Sequence, residues 1–300
     1  MLRIAAHTDV GRVRAGNEDS LLVSDDGRLI AVADGMGGHQ GGEVASATAV
    51  ATLRAEIGAG RSVEDAVVTA NRAVHERADG DPALRGMGTT LTAGIVTGSS
   101  LRIAHVGDSR AYLLRNGELR QVTVDHSVVA ELIAAGELTE EEALVDRRRS
   151  MITRALGIDR EVAVDVVTVD LRAGDRLLLC SDGLTTMLRD PAIRTILGDA
   201  PTPDAAATAL VDAANAAGGV DNITVIVADV TEDHPPDGDE GGPTEAPDPE
   251  ATEAASVDAE SDAESDAGSE SVSASPPEPA SAPAPEGAHR RRWWSRRAPS

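Results

Sequence analysis

Lysine and phenylalanine are both missing from this chain of 300 residues. Beside the abundance of alanine and arginine, these two gaps reflect a GC-rich coding sequence and say nothing about function. Cysteine occurs once, as Cys180, which excludes an intramolecular disulfide and any multi-thiolate metal site. Positive charge is scarce, with 27 basic residues against 51 acidic ones and a net charge of −24. An acidic body argues against general nucleic-acid binding, which needs a basic face. No stretch approaches the roughly 18 apolar residues of a spanning helix. The start, Met1-Leu2-Arg3-Ile4, lacks a secretory apolar region. A cytoplasmic location is the expectation that follows.

What is present is unevenly distributed. Residues 233–300 hold 11 of the 15 prolines, both tryptophans and runs of Ala, Ser, Glu and Asp, with almost no Leu, Ile or Val. Such a segment cannot bury enough apolar surface to offset chain entropy and is expected to be disordered. The boundary falls where the apolar run Ile223–Val230 gives way to His234-Pro235-Pro236, leaving residues 1–232 as one large domain. From Glu232 onward there are 17 acids and five arginines. The part before it has 34 acids and 22 arginines, so each half of the charge is −12. The last residues differ from the spacer, because His289-Arg290-Arg291-Arg292-Trp293-Trp294-Ser295-Arg296-Arg297 is basic and aromatic. Weak contact of Arg290–Arg297 with anionic lipid, a partner protein or the acidic spacer stays open, beside a basic end with no role.

In the first 232 residues, strand and helix signals come in blocks. Leu21–Ser24 and Leu29–Val32 flank Asp25-Asp26-Gly27, a hairpin signature. Glu43–Ile57 and Ser62–Arg77 read as helices, the second opening on Ser62-Val63-Glu64-Asp65, an acidic variant of a capping box. Strands are expected at Thr89–Val96, Leu101–Val106, Ala111–Leu114, Leu119–Val124, Val162–Val169, Arg176–Cys180 and Ile223–Val230. A helical, charge-rich insert is expected over Ser127–Arg149, and a last helix from Pro203 to Ala217. Blocks of strands with paired helices indicate an α+β layered domain, not a parallel doubly wound one.

The informative pattern is the placement of aspartate. Ile30–Ala33 runs into Asp34-Gly35, and Ile103–Val106 into Gly107-Asp108-Ser109-Arg110. Leu177–Cys180 runs into Ser181-Asp182-Gly183, and Asp221-Asn222 stands directly before Ile223–Ile226. Any one of these is ordinarily a turn; four of them, each beside Gly, Asn or Ser, weigh against that reading. Convergent carboxylates in a cleft repel one another unless cations neutralise them. Hard divalent ions such as magnesium and manganese take oxygen ligands of this kind, and a neighbouring glycine lets a backbone carbonyl approach. Arg14, four and five residues ahead of Glu18 and Asp19, suits phosphate because guanidinium is planar, charged and bidentate. Standing alone, it would read as a surface arginine.

Taken together, these stretches resemble the metal-dependent protein phosphatase family (PPM, type 2C), in its bacterial serine/threonine branch. The pieces are Thr8-Asp9-Val10-Gly11 with Arg14 and Asn17-Glu18-Asp19, Val32-Ala33-Asp34-Gly35-Met36-Gly37-Gly38-His39, and Gly86-Met87-Gly88-Thr89-Thr90. They continue with His105-Val106-Gly107-Asp108-Ser109-Arg110, Thr153-Arg154-Ala155-Leu156-Gly157, Ser181-Asp182-Gly183-Leu184 and Asp221-Asn222-Ile223-Thr224. Order and spacing match over essentially all of residues 3–230. The resemblance implies a central sandwich of two antiparallel sheets flanked by helix pairs, with a mobile flap at about residues 125–154.

By the same resemblance, Asp34 bridges two Mn2+ or Mg2+ ions, the Gly35 carbonyl binds one of them, and Asp182 and Asp221 complete the first site. Asp108 with Asp182 would hold a third, weaker ion. Glu18 and Asp19 would act through water held by the ions, and Arg14 would clamp the substrate phosphate. The implied activity is hydrolysis of phosphoserine and phosphothreonine on proteins by metal-activated water attacking in line. Ser/Thr kinases and their substrates would be the partners of a monomeric enzyme. Two departures stand out. Eukaryotic relatives carry a histidine directly after Asp-Gly, where this chain has Met36, leaving His39 and His126 as candidates for a general acid. The flap reads Asp146-Arg147-Arg148-Arg149-Ser150 in place of a His-Pro stretch. Cys180, at the end of an apolar strand, reads as a core thiol and not a nucleophile. A pseudophosphatase that only binds a partner, and a phosphatase for anti-sigma antagonists, are the competing readings. The first normally lacks a metal carboxylate and the second carries sensor domains.

Overall fold

In the computed structural model, the described residues are 2–38 and 40–231. His39, the acidic spacer and Arg290–Arg297 lie outside them. The chain divides into two units, Met1–Pro243 and Thr244–Ser300, and only the first contains described residues. It opens with strands β1 (Leu2–Asp9), β2 (Asp19–Val23) and β3 (Leu29–Met36), followed by helices α1 (Gly41–Gly58) and α2 (Val63–Gly80). Strands β4 (Gly88–Thr89), β5 (Leu91–Thr97), β6 (Ser100–Val106), β7 (Arg110–Arg115) and β8 (Glu118–Gln121) come next, then the short helices α3 (Val128–Ala134) and α4 (Glu140–Ala143). Strands β9 (Asp165–Asp170) and β10 (Arg176–Cys180) lead to α5 (Asp182–Met187), α6 (Asp190–Asp199), α7 (Pro203–Ala216) and the last strand, β11 (Ile223–Val230).

The strands form two antiparallel sheets, one ordered β1-β11-β10-β7-β8 and the other β2-β3-β5-β6-β9, with β4 paired to β3. The central strands β3, β10 and β11 are near-continuous apolar runs because both of their faces are covered. Ile30, Val32, Ile103, Leu177, Leu179 and Ile226 meet between the sheets. One residue along, Ala31 and Ala33 face α1 and α2, packing with Leu53, Val67 and Val74. Leu178, Cys180 and Val225 face the other helical layer, with Leu184 and Leu210. This period of two is the strand's own geometry. Leu179→Ala would leave a cavity between the sheets and cost roughly 2–5 kcal/mol.

Local signals were mostly obeyed. The Ser62 side chain caps α2 by accepting from the Asp65 amide. The turn between β7 and β8 puts Asn116 at φ 54° and Gly117 at φ 80°, the left-handed pair that a tight hairpin needs. Several expected elements differ. The Thr89–Val96 strand is split at Thr90, whose amide donates to the Asp34 carbonyl while Thr89 pairs with Gly35. The expected strand Leu119–Val124 stops at Gln121, and Val162–Val169 is shifted to β9. The Ser127–Arg149 insert is two short helices: Gly136, at φ 72°, ends the first, and a Thr139–Glu142 capping box begins the second. Strand β1 and helices α5 and α6 had no counterpart in the sequence reading. Among the described residues no helix is long and apolar enough to cross a membrane.

Candidate active site

The acids singled out in the sequence gather at one end of the sandwich. Asp34 does not end its strand, as the sequence suggested. β3 runs on to Met36 because Gly35 and Met36 pair with Thr89 and Gly88. Asp19, the first residue of β2, lies directly across from Asp34 in the antiparallel register. Asp182 is the first residue of α5, directly after β10, and Asp221 precedes β11, the strand beside β10. Asp108 sits in the loop between β6 and β7. Gly35 is sterically obligatory, because a Cβ there would strike the backbone of Gly42 and Glu18. Gly42 in turn leaves room for the Glu18 carboxylate.

These carboxyls are recessed among protein atoms but keep an edge to solvent at the mouth. Burial, with mutual repulsion, raises the pKa values of Asp19, Asp34, Asp108 and Asp182. Asp19 is pushed up to about 7 by burial and by Asp182 and Asp221. Asp108 is also pushed up to about 7, by burial and by Asp182 and Asp125. Burial and the charges of Asp19, Asp182 and Asp108 raise Asp34 well above the usual carboxylate range. Burial, then the charge of Asp221, raises Asp182; its hydrogen bond from the Asp34 carboxyl acts the other way.

Neutral groups brace the cluster, and sequence reading had given none of them a role. The Ser181 hydroxyl donates to Asp19 Oδ2 at 2.8 Å. Thr90 Oγ1 accepts from the Asp34 amide at 2.9 Å and lies 2.7 Å from Ser109 Oγ. Asn222 fastens the N-terminal loop to the mouth of β11: its Oδ1 accepts from the Glu18 amide, and its Nδ2 donates to the carbonyls of Val10 and Gly16. Arg14, half exposed at the rim of that loop, donates from Nη2 to Asp221 Oδ2 at 2.6 Å. The adjacency of Asn222 to Asp221 was the one signal that could have flagged such a brace. The others are partners distant in sequence.

The other candidates separate cleanly. Cys180 is buried, and burial pushes its thiol up to about 12, so it is a core residue with no nucleophilic character at neutral pH. His126 is buried with both ring nitrogens engaged, Nδ1 by the Gly107 amide and Nε2 by Asp165. It is not a solvent-facing acid. His39 lies outside the described residues. Two surface clefts of about 520 and 600 Å³ include none of these acids; the site is marked by its charge and not by its depth.

Among the described residues no three Asp, Glu, His or Cys side chains form a metal cage; Asp34 bonds to Asp182 and Asp221 to Arg14. The donor set nonetheless fits a hard divalent cation. It is all oxygen, and it includes Asp19 Oδ1, an oxygen sealed from solvent that has no hydrogen-bond partner. Its crowded negative charge calls for a cation.

Comparison with known proteins shows the family of the chain. Residues 8–213 match the family profile described as protein phosphatase 2C. The chain is 45% identical over 240 residues to serine/threonine protein phosphatase PstP of Mycobacterium tuberculosis, covering 77% of this chain and 46% of that protein. It thus spans about half the length of that relative. It is 42% identical over 235 residues to serine/threonine phosphatase Stp of Listeria monocytogenes, covering 74% of this chain and 93% of that one. A crystal structure of the catalytic domain of serine/threonine protein phosphatase PstP in complex with two manganese ions is 43% identical. It covers 77% of this chain and 99% of that one, with a TM-score of 0.71. The chain belongs to the protein phosphatase 2C family, in its bacterial serine/threonine branch.

Proposed function

We propose that this chain is a divalent-metal-dependent phosphatase that hydrolyses phosphoserine and phosphothreonine on proteins. The observation that carries the reading is the recessed convergence of Asp19, Asp34, Asp108 and Asp182 beside a half-exposed arginine held by Asp221. Asp34, Asp182, Asp221 and the Gly35 carbonyl would hold two Mn2+ or Mg2+ ions, and Asp108 with Asp182 would hold a weaker third. Bound divalent ions neutralise the cluster and lower the pKa of the attacking water.

The remaining work falls to the chain's own side chains. Glu18 and Asp19 would orient water at bound ions, Asp19 with its unpartnered Oδ1 and with Oδ2 fixed by Ser181. Arg14 leaves Asp221 once cations compete for that carboxylate. It then binds two phosphate oxygens, which holds phosphorus in line for attack and stabilises the charge that develops. Asn222 sets its reach by pinning the loop on either side of it, at Val10 and at Gly16. Residues 1–232 form the catalytic domain of a monomer, and the segment 233–300 is a spacer with a basic end. Bacterial Ser/Thr kinases and their substrates, met in the cytoplasm, supply the phosphoproteins.

The test is phosphate release from a phosphothreonine peptide by the full chain, first in chelator and then with Mn2+ restored. Activity should vanish and return. Full activity in chelator would refute the reading.

A further inference from the structure

We propose that His126 is a positioning residue, fixing the Gly107–Ser109 loop, and with it Asp108, to the base of the flap. The inference rests on the reading of Asp108 as a metal ligand.

The two ends of the flap meet at this histidine. Ser127 pairs with Ile152, the Thr153 amide donates to the His126 carbonyl at 2.8 Å, and the Val128 amide donates to the Met151 carbonyl at 2.9 Å. His126 then grips a single residue of the Asp108 loop from both sides. Its amide donates to the Gly107 carbonyl at 2.8 Å, and its ring Nδ1 accepts from the Gly107 amide at 3.0 Å. An accepting Nδ1 places the ring proton on Nε2, which faces Asp165 Oδ2 at 3.1 Å. Asp165 is held in turn by Arg154, at the far end of the flap, whose Nη1 donates to Oδ1 at 2.6 Å and to the Ala163 carbonyl at 3.1 Å.

The loop's other side is tied to the strand that carries Asp34. Ser109 Oγ meets Thr90 Oγ1, which accepts from the Asp34 amide. Gly107, at φ 114°, packs so closely on Thr90 that a Cβ would overlap it. Asp108 therefore hangs between two anchors, one on β3 and one on the flap. A ring that served only to fill space would not need one nitrogen as acceptor and the other as donor. Here each nitrogen has a fixed role, and the Asp165 carboxylate selects the tautomer that lets Nδ1 accept.

Two substitutions separate positioning from packing. His126→Asn keeps an oxygen at the δ position to accept from Gly107. His126→Gln keeps a polar group at the ε position but puts carbon at δ. In the full chain, calorimetric titration with Mn2+ should show the weakest site loosened about tenfold or more in H126Q, as for other groups that orient ligands. H126N should stay within about threefold of wild type. Hydrolysis of a small aryl phosphate should require correspondingly more Mn2+ in H126Q alone. Equal loss in both variants, or wild-type titration in both, would overturn the proposal.

Circular-dichroism melts come first. If H126Q is unfolded, Asp165→Ala takes its place. Arg154 Nη1 lies 3.0 Å from Nε2, so without Asp165 it would favour the tautomer whose Nδ1–H opposes the Gly107 amide. The same site should weaken, and an unchanged site would refute the proposal. Asp108→Asn isolates the underlying reading: if it leaves the titration unchanged, Asp108 is not a ligand and the fault lies there. If it removes the weak site while H126Q does not, only the role of His126 fails.

Discussion

Replacing Asp19 with asparagine removes one negative charge from the cluster and keeps an oxygen that can accept from Ser181. The Asp19 carboxyl titrates near 7 in the folded protein against 3.8 when unperturbed. Between these values the folded state holds a proton that the unfolded chain has released. Stability of the metal-free protein therefore falls as pH rises from about 4, and the loss is complete above about 7. Three units at about 1.4 kcal/mol each give about 4 kcal/mol. This is a ceiling, because the mouth of the cluster is wet, but it is large beside the roughly 5–15 kcal/mol that holds a domain together. Asparagine escapes the penalty. In chelator, D19N should be the more stable protein at pH 8, and its lead should grow by roughly 2 kcal/mol between pH 5 and pH 8. Manganese should reverse the order, stabilising wild type more than the variant, because a bound cation compensates a charge that the variant lacks. Urea melts at the two pH values, with and without Mn2+, measure both effects. A chelated wild type no less stable at pH 8 than at pH 5, or a variant less stable than wild type at pH 8, would refute the reasoning.

Asp34→Ala and Asp182→Ala should each lower kcat by at least ~100-fold, in keeping with lost metal electrostatics; near-normal rates with unchanged metal content would mean the centre is elsewhere. Arg14→Ala should leave manganese titration intact and raise KM at least as clearly as it lowers kcat, since it removes a bidentate grip on the order of 1.5–3 kcal/mol. Kinetics with a phosphopeptide check this, and unchanged KM and kcat would reduce Arg14 to a surface residue. Truncation after Glu232 keeps all of β11 and should leave a cooperative melt and near-normal phosphopeptide turnover; an unfolded product would move the domain boundary.

The parts of the fold that were legible in the sequence are those whose cause is local. β10 and β11 match their expected bounds because a strand covered on both faces needs an uninterrupted apolar run. The β7–β8 turn has a local cause as well, because Asn116-Gly117 supplies two left-handed residues. The misses have a common cause in tertiary context. β1 alternates weakly, with Ala5, Ala6 and His7 along it, and owes its place to pairing with β11. Helix α5 begins at Asp182-Gly183, which reads locally as a turn. Pro191, an apparent breaker, stands in the first turn of α6, where a missing amide costs nothing. Asp34, Asp108, Asp182 and Asp221 were visible because each stands beside an apolar run, whereas Glu18 and Asp19 entered only beside Arg14 and through the family resemblance. The bracing roles of Thr90, Ser109 and Ser181 were not visible, and His126 was singled out only as a candidate acid, because their partners lie 19 to 162 residues away and leave no periodic trace.

That the cluster can exist at all follows from the topology. Asp19 and Asp34 come from neighbouring strands of one sheet in matched register. Asp182 and Asp221 come from the ends of neighbouring strands of the other. The sandwich stacks the two pairs face to face, so the apolar contacts between the sheets set the distance between the acids. A one-residue slip of β10 would exchange Leu178 with Leu179 across the sheet and carry Asp182 away from Asp34. The same leucines that hold the sheets together therefore also hold the carboxylates against their repulsion. A substitution such as Leu179→Ala should loosen manganese binding although it touches no ligand. Wild-type affinity in that variant, once it is shown to be folded, would mean that the loops hold the cluster and the sandwich does not.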